Sequence, residues 1–309
     1  MTQSLTYYIL PRSFIFCAEG KDATRYLHNR LTNDIKKLPV GYSCLAAALT
    51  PQGKTEGFFT CLREADSSYL LQCDGGNCDT VQSALRRYIV ADRVSINLVE
   101  NPDTIIHCSS QLAARIFSLA EIEGAIKSHC APENSLSIKA IIPRNRLGFD
   151  GFDLWVSRTD PRFAELTHIL SEGEQLSETD YHQLRLSSGK PQFPDELNDS
   201  HLLTEAPVEG IISHNKGCYV GQEVIERVAS RGATPRLLAR FSSDSKAAIS
   251  IDTPLFTQQQ DGSMEKIGEV CSSVLTSNGA VGFASIRRQA NESAPILIGE
   301  SRGTFSWLR

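Results

Sequence analysis

The sequence has no long apolar segment: a run of about eighteen apolar residues, the length needed to cross a bilayer, occurs nowhere in it. Residues 1–10 also lack the basic stretch, apolar core and small-residue cleavage site of a secretory leader. These absences lead us to expect a cytoplasmic protein that has no contact with a membrane.

Metal-binding and disulfide patterns are scarce as well. The nine cysteines are an odd number and include no Cys-x-x-Cys, so the sequence indicates neither a closed disulfide framework nor a structural zinc pair. Cys73 and Cys78, which flank a Gly-Gly turn, are the only closely spaced pair, and metal sites normally use three or four ligands. We therefore expect no permanently bound metal.

Surplus positive charge is also missing. The net charge is −5 and the isoelectric point is near 5.8. A protein that binds nucleic acid through a general basic surface has a net positive charge, so direct nucleic-acid binding is not expected here. A purely structural RNA-binding adaptor is accordingly the weakest of the functions that we consider.

The pattern of apolar residues predicts two kinds of structure along the 309 residues. Up to Pro235, helices alternate with short strands, which predicts an α+β region over residues 1–235. Beyond it, short β-like segments separated by turns such as Asp261-Gly262 and Asn278-Gly279 predict a small antiparallel β-barrel or sandwich over residues 236–309. Helices are predicted over residues 23–38, 79–91 and 179–186, and strands over residues 44–49, 58–62, 69–73, 94–99, 104–108 and 148–156.

The most informative segment runs from Lys216 to Glu223 and reads Lys-Gly-Cys-Tyr-Val-Gly-Gln-Glu. Cys218 lies between two glycines, beside Lys216, where the apolar spacing predicts the start of a helix. Helix-start N–H groups and a nearby cation both favour thiolate over thiol, which makes Cys218 the candidate reactive cysteine, with Lys216 and Tyr219 beside it. In the alternative interpretation, the glycines shape a turn and Cys218 is a small buried filler.

This octapeptide resembles the signature of the YgfZ family, folate-binding proteins of iron–sulfur maturation and tRNA modification that are related to the aminomethyltransferase of glycine cleavage. The segments Gly20–Leu27 and Leu31–Asp34 look like the first helix of that superfamily, and Gly268–Val270 and Gly282–Ala284 look like its C-terminal barrel. The resemblance implies three lobes around a central folate-binding hole. Two of them would interleave within residues 1–235, the middle one spanning about residues 51–139.

The resemblance also implies which residues hold tetrahydrofolate or a one-carbon derivative of it. Asp153, after the Asp150-Gly151 turn, would accept two hydrogen bonds from the pterin edge, and Arg185 would face the same site. Alternatively, Asp153 is a solvated strand residue and Arg185 makes a surface ion pair. Further folate contacts are assigned to the helix after Cys218, at Gln222, Glu223 and Arg227.

One departure from the transferases bears on the enzyme class. Where their catalytic aspartate pair belongs, this sequence has Glu56-Gly57, so aminomethyl transfer is not the expected reaction. The resemblance implies an accessory factor for assembly or repair of some iron–sulfur proteins, with transient partners and with Cys218 as a possible transient ligand. The alternative is a folate-dependent one-carbon transferase or demethylase acting on a small amine, for which Glu56 would be indispensable.

Overall fold

The computed structural model describes residues 5–99, 103–119, 128–131, 136–232, 234–259, 261–292 and 294–308. Within these ranges the chain forms three β-sheets with helices packed between and around them. The longest described helices have ten residues. In the described part of the chain, no helix has the length and apolar character required to traverse a bilayer.

The first sheet is antiparallel and has the strand order β3-β4-β5-β2-β6. Its buried face carries alternating apolar side chains that form a core with the helices beside it. The strands are β2 (Phe14–Glu19), β3 (Ser43–Leu49), β4 (Thr55–Ala65), β5 (Ser68–Cys73) and β6 (Ser95–Leu98), and the helices are α1 (Ala23–Arg30) and α2 (Cys78–Arg86).

The second sheet has the order β10-β1-β7-β9-β8 and is antiparallel except for the parallel pair β1–β10. Because β1 precedes the whole first sheet in the chain, the two sheets are not built from two consecutive stretches of sequence. The bounds of the middle lobe, at about residues 51 and 139, stay a prediction. The elements are β1 (Thr6–Ile9), β7 (Thr104–Ser109), α3 (Ser110–Leu119), β8 (Ile138–Pro143), β9 (Gly151–Val156), α4 (Phe163–Leu170) and β10 (Glu174–Gln175).

The third sheet is a closed six-stranded antiparallel barrel that begins at Arg236. Two helices precede it, α5 (Glu178–Ser187) and α6 (Gln222–Arg231). The α+β class with a small C-terminal β-barrel is thus confirmed. The barrel strands are β11 (Arg236–Ser243), β12 (Pro254–Gln258), β13 (Met264–Thr276), β14 (Gly279–Arg287), β15 (Ile296–Ile298) and β16 (Ser301–Trp307).

The predicted helix over residues 23–38 is too long, because α1 ends at Arg30. Leu31 is extended and pairs with Ala48 of β3, so the chain leaves the helix to join the sheet. Its apolar positions are nevertheless buried, since Leu31 and Ile35 are fully covered. The spacing identified the buried side chains correctly but assigned them to the wrong secondary structure.

Candidate functional site

A cavity of about 860 Å³ lies where the three sheets meet. The first sheet contributes Phe58 and Thr60 of β4, the second contributes Ile142 of β8, and the barrel contributes Arg240 and Trp307. Further lining residues are Cys44, Asp74, His129, Arg144, Arg146, Tyr181, Arg185, Lys190, Gln192, Phe193 and Glu209. The cavity is large enough for a flat heterocyclic ligand and combines aromatic, cationic and hydrogen-bonding groups.

Arg146 occupies the inner wall of this cavity and joins the first two sheets. Its guanidinium donates to both oxygens of Asp74, over 2.7 and 2.8 Å, and to both oxygens of Asp153, over 2.7 and 2.9 Å. All three side chains are almost completely buried. Burial by itself raises the pKa of Asp153, but the charge of Arg146 and hydrogen bonds from His107 and Arg146 outweigh it and lower that pKa.

Arg144 is the cation that this network leaves available to a ligand. Its nearest described carboxylate oxygen, on Asp74, is 4.0 Å away, and its guanidinium lies over the Phe58 ring at 5.6 Å from the centroid. Burial, followed by the charge of Arg146, lowers its pKa from the usual 12.5. A half-buried, weakly paired guanidinium in a cavity wall is suited to bind an anionic group.

Arg185 also lines the cavity, but its donors are already engaged. It binds Glu196 over 2.7 Å, the Lys190 carbonyl oxygen over 3.1 Å and Asp195 over 3.3 Å. Its side chain is 2% exposed, so the surface ion pair considered from the sequence is wrong. Arg185 therefore shapes the cavity from a buried network.

Asp153 is fully buried in β9 and is not among the residues that line the cavity. The solvated-strand interpretation is therefore wrong. Its carboxylate is held by Arg146 and by the His107 ring, so the aspartate that reaches the cavity is Asp74. Asp153 is connected to the cavity wall through Arg146, and a direct pterin contact from it stays a prediction.

Cys218 is exposed, which excludes the buried-filler interpretation. It lies in a loop four residues before α6 and does not itself line the cavity. Gly221, with φ of 84°, forms the helix N-cap, so the first helical residue is Gln222 and the helix begins four residues after Cys218, where its start was predicted. The proximity of Cys218 to the helix N–H groups thus stays a prediction.

Lys216 binds the end of α1. Its ammonium donates to the carbonyl oxygens of His28, Leu31 and Asn33, the last over 2.8 Å, and lies 4.8 Å from the centroid of the Tyr219 ring. Burial lowers its pKa to about 8, an effect that Asp34 and then Cys44 oppose. Lys216 therefore fastens the loop that carries Cys218 to the first lobe.

The three α6 residues predicted to contact folate do not line the cavity. Glu223 and Arg227 are exposed, Gln222 is half-buried, and none of the three lines it. The buried side of α6 is the face of Ile225, which packs into the first core. These three assignments remain predictions, without a described contact to the cavity.

Glu56 is tied to arginines in the first lobe. It binds Arg30 over 2.7 Å and also pairs with Arg87, and it does not line the cavity. Arg30 is fully buried and donates to the carbonyl oxygens of Ala84 and Leu49 as well. The acid at the position that the resemblance matches to the transferase aspartates is thus held in ion pairs with two arginines.

Comparison with known proteins agrees with this architecture. No protein-family model matches the chain. It is 23% identical to the tRNA-modifying protein YgfZ of Vibrio atlanticus, over 79% of this chain and 71% of that one. It is 22% identical to the mitochondrial iron-sulfur cluster assembly factor IBA57 homolog of Neurospora crassa, over 94% of this chain and 72% of that one.

Among solved structures, the glycine cleavage system aminomethyltransferase T of Bartonella henselae superposes with a TM-score of 0.77. The match covers 99% of this chain and 85% of that one at 17% identity. The chain is thus similar in sequence to YgfZ proteins over most of its length. Its fold is that of the aminomethyltransferase, which confirms the resemblance drawn from the Lys216–Glu223 segment.

Sequence reasoning missed the polar wall of this cavity. Asp74, Arg144 and Arg146 were not identified, although two arginines follow the β8 strand directly and Asp74 follows β5. Charged residues at the ends of two strands were the available signal. The pairing of Asp74 with Arg146 could not be predicted, because the two residues are 72 positions apart in the sequence.

Proposed function

We propose that this protein binds tetrahydrofolate or a one-carbon derivative of it in the central cavity and assists the assembly or repair of a subset of iron–sulfur proteins. Through those proteins it affects cluster-dependent tRNA modification. The observation that supports this most is the cavity itself, whose lining includes aromatic side chains and the weakly paired, half-buried cation Arg144. The names of the bacterial and fungal relatives point to the same two processes.

The residues present fit a folate. The aromatic side chains of Phe58, Tyr181 and Trp307 line the cavity, where a flat ring could pack against them. Asp74 Oδ2 accepts one bond from Arg146 and keeps room for a further donor such as a pterin N–H. Bound tetrahydrofolate would supply a flat ring, an anionic glutamate tail and, in a one-carbon form, a transferable carbon.

Cationic side chains in the cavity lining are suited to bind the anionic glutamate tail of a folate. Arg146 is paired with two aspartates and Arg185 with Glu196 and Asp195, so these two cations are already engaged, whereas Arg144, Lys190 and Arg240 line the cavity beside one further acid, Glu209. An anionic group of a ligand would thus meet these three cations in the cavity wall.

The exposed thiol of Cys218 supplies the second part of the proposal. The segment that carries it, residues 207–218, begins at the cavity wall with Pro207, Val208 and Glu209. Within the described ranges no group of three or more histidine, cysteine or acidic side chains could hold a metal ion. Since clusters normally use four protein ligands, any contact of Cys218 with a cluster would share it with a partner protein.

The alternative, one-carbon transfer to a small amine, requires a free carboxylate at Glu56. Both oxygens of Glu56 are bound by arginines away from the cavity, which argues against that role. A Glu56→Gln variant separates the two functions. Iron–sulfur support should survive the substitution, whereas a transferase that depends on Glu56 should lose its activity.

Complementation tests the proposal. A strain that lacks its own homologue is supplied with the wild type, with Cys218→Ser, or with Cys78→Ser as a matched control at a half-buried cysteine of α2. We expect the wild type and Cys78→Ser to restore cluster-enzyme activity and Cys218→Ser to fail. Full restoration by Cys218→Ser would rule out the thiol mechanism.

A further inference from the structure

Two other cysteines lie opposite each other on neighbouring strands of the first sheet. Cys44 of β3 and Cys61 of β4 are directly opposed in the antiparallel register. Directly opposed residues in such a pair have Cα atoms about 4.5–5.5 Å apart, with side chains on the same face. Disulfides span Cα separations of about 4.4–6.8 Å, so this register suits a disulfide without rearrangement of the strands.

The side chain of Cys61 also interacts with that of Cys44. A hydrogen bond that the Cys61 thiol donates to Cys44, followed by burial, raises the pKa of Cys61 well above its usual value. The remaining strand cysteines of this sheet face other residues: Cys73 is opposite Phe14 and Phe59 and donates to the Gly75 carbonyl oxygen, and Cys17 is opposite Leu70 and Asn97. Cys44 and Cys61 are thus a specific pair.

The members of the pair differ in access. Cys61 is sealed in the core, whereas Cys44 is half-buried on β3, the edge strand of the sheet, and borders the central cavity. Cys44 is therefore the member of the pair that a small molecule in the cavity can reach first.

We propose that Cys44 and Cys61 form an oxidisable dithiol site at the edge of the cavity, and that the co-reactant is a low-molecular-weight disulfide. The Cys44 thiolate attacks one sulfur of that disulfide and releases one thiol, which leaves a mixed disulfide on Cys44. Cys61 then attacks the Cys44 sulfur and releases the second thiol. Two protein thiols lose two electrons and two protons, and the small disulfide is reduced to two thiols.

This inference goes beyond the proposed function, and its test reads the state of the thiols independently of folate binding. The full-length protein is incubated with glutathione disulfide, its free thiols are alkylated, and the peptides are mapped by mass spectrometry. We expect the peptides of Cys44 and Cys61 to be joined, with the loss of two hydrogens. Exposed Cys218 shows in the same map that the reagent reached the protein.

Variants make the assignment specific. Cys17→Ser changes a half-buried strand cysteine that has no cysteine opposite, and Cys218→Ser removes the exposed thiol, so both should keep the cross-link. Cys44→Ser should lose it, and so should Cys61→Ala; if the buried Cys61→Ala variant fails to fold, Cys44→Ser still decides. A persistent mixed disulfide on Cys44, a cross-link from Cys44 to Cys218, or a reduced pair beside fully modified Cys218 would overturn the proposal.

Discussion

Arg146 Nη2 lies 2.7 Å from Asp74 Oδ1, and this contact bonds the end of a strand in the first sheet to the loop between β8 and β9 in the second. The same guanidinium binds Asp153. One cation therefore fixes the relative position of two lobes and builds a wall of the cavity.

Removal of that cation should destabilise the protein strongly. Arg146→Leu leaves two buried carboxylates without their partner, which costs about 3–5 kcal/mol of unfolding free energy. Urea denaturation measures this. Arg12→Leu is the matched control, because its pair with Glu178 is exposed and should contribute less than about 1 kcal/mol. Equal effects of the two substitutions would contradict the role of Arg146.

The same network predicts that the free energy of unfolding depends on pH in the acidic range. The pKa values of Asp74 and Asp153 are lowered in the folded protein, so their stabilisation is complete above the unfolded value of about 3.9 and is lost as pH falls towards the folded values. In Arg146→Leu the two carboxylates are buried without their cation, so the folded state of the variant instead favours their protonated, neutral forms. The difference in unfolding free energy between the wild type and the variant should therefore shrink on acidification, and a constant difference would contradict the pairing.

Lys216 should act on stability through the end of α1. Lys216→Met keeps the apolar stem but leaves three carbonyl groups without their donor, at a cost of about 1–3 kcal/mol. Thermal unfolding should show the loss. Lys37→Met, at a side chain that is 77% exposed, should change stability by less than about 0.5 kcal/mol. An unchanged Tm in Lys216→Met would show that the loop is held by other contacts.

Arg144 should contribute directly to ligand affinity. Arg144→Gln removes the weakly paired cavity cation, and a hydrogen bond to a charged group contributes about 1.5–3 kcal/mol, so affinity for tetrahydrofolate should fall by roughly 10- to 150-fold. Calorimetry compares it with Arg158→Gln, an exposed arginine of a turn. Equal affinities in the two variants would place the ligand away from Arg144.

The sequence predicted the fold and its secondary-structure elements better than the contacts between distant residues. The resemblance carried by residues 216–223 identified the fold, and turn residues after Pro235 predicted the barrel. The α1 prediction failed beyond Arg30 because pairing of Leu31 with Ala48 competes with the helix, and periodicity cannot detect such pairing.

The site was predicted less completely for a related reason. Asp153 was chosen from its neighbours in the chain, yet its environment is set by Arg146 and by His107, which is 46 residues distant. The opposition of Cys44 and Cys61 likewise depends on strand register, which the hydrophobic pattern of two isolated segments does not determine.

A crystal structure of the protein with tetrahydrofolate bound tests the central claim most directly. We predict that the pterin ring lies in the cavity between the three sheets, against aromatic side chains such as Phe58 and Tyr181, with an anionic group of the ligand within hydrogen-bonding distance of Arg144. Ligand density at any other surface, with the cavity filled only by solvent, would contradict the account.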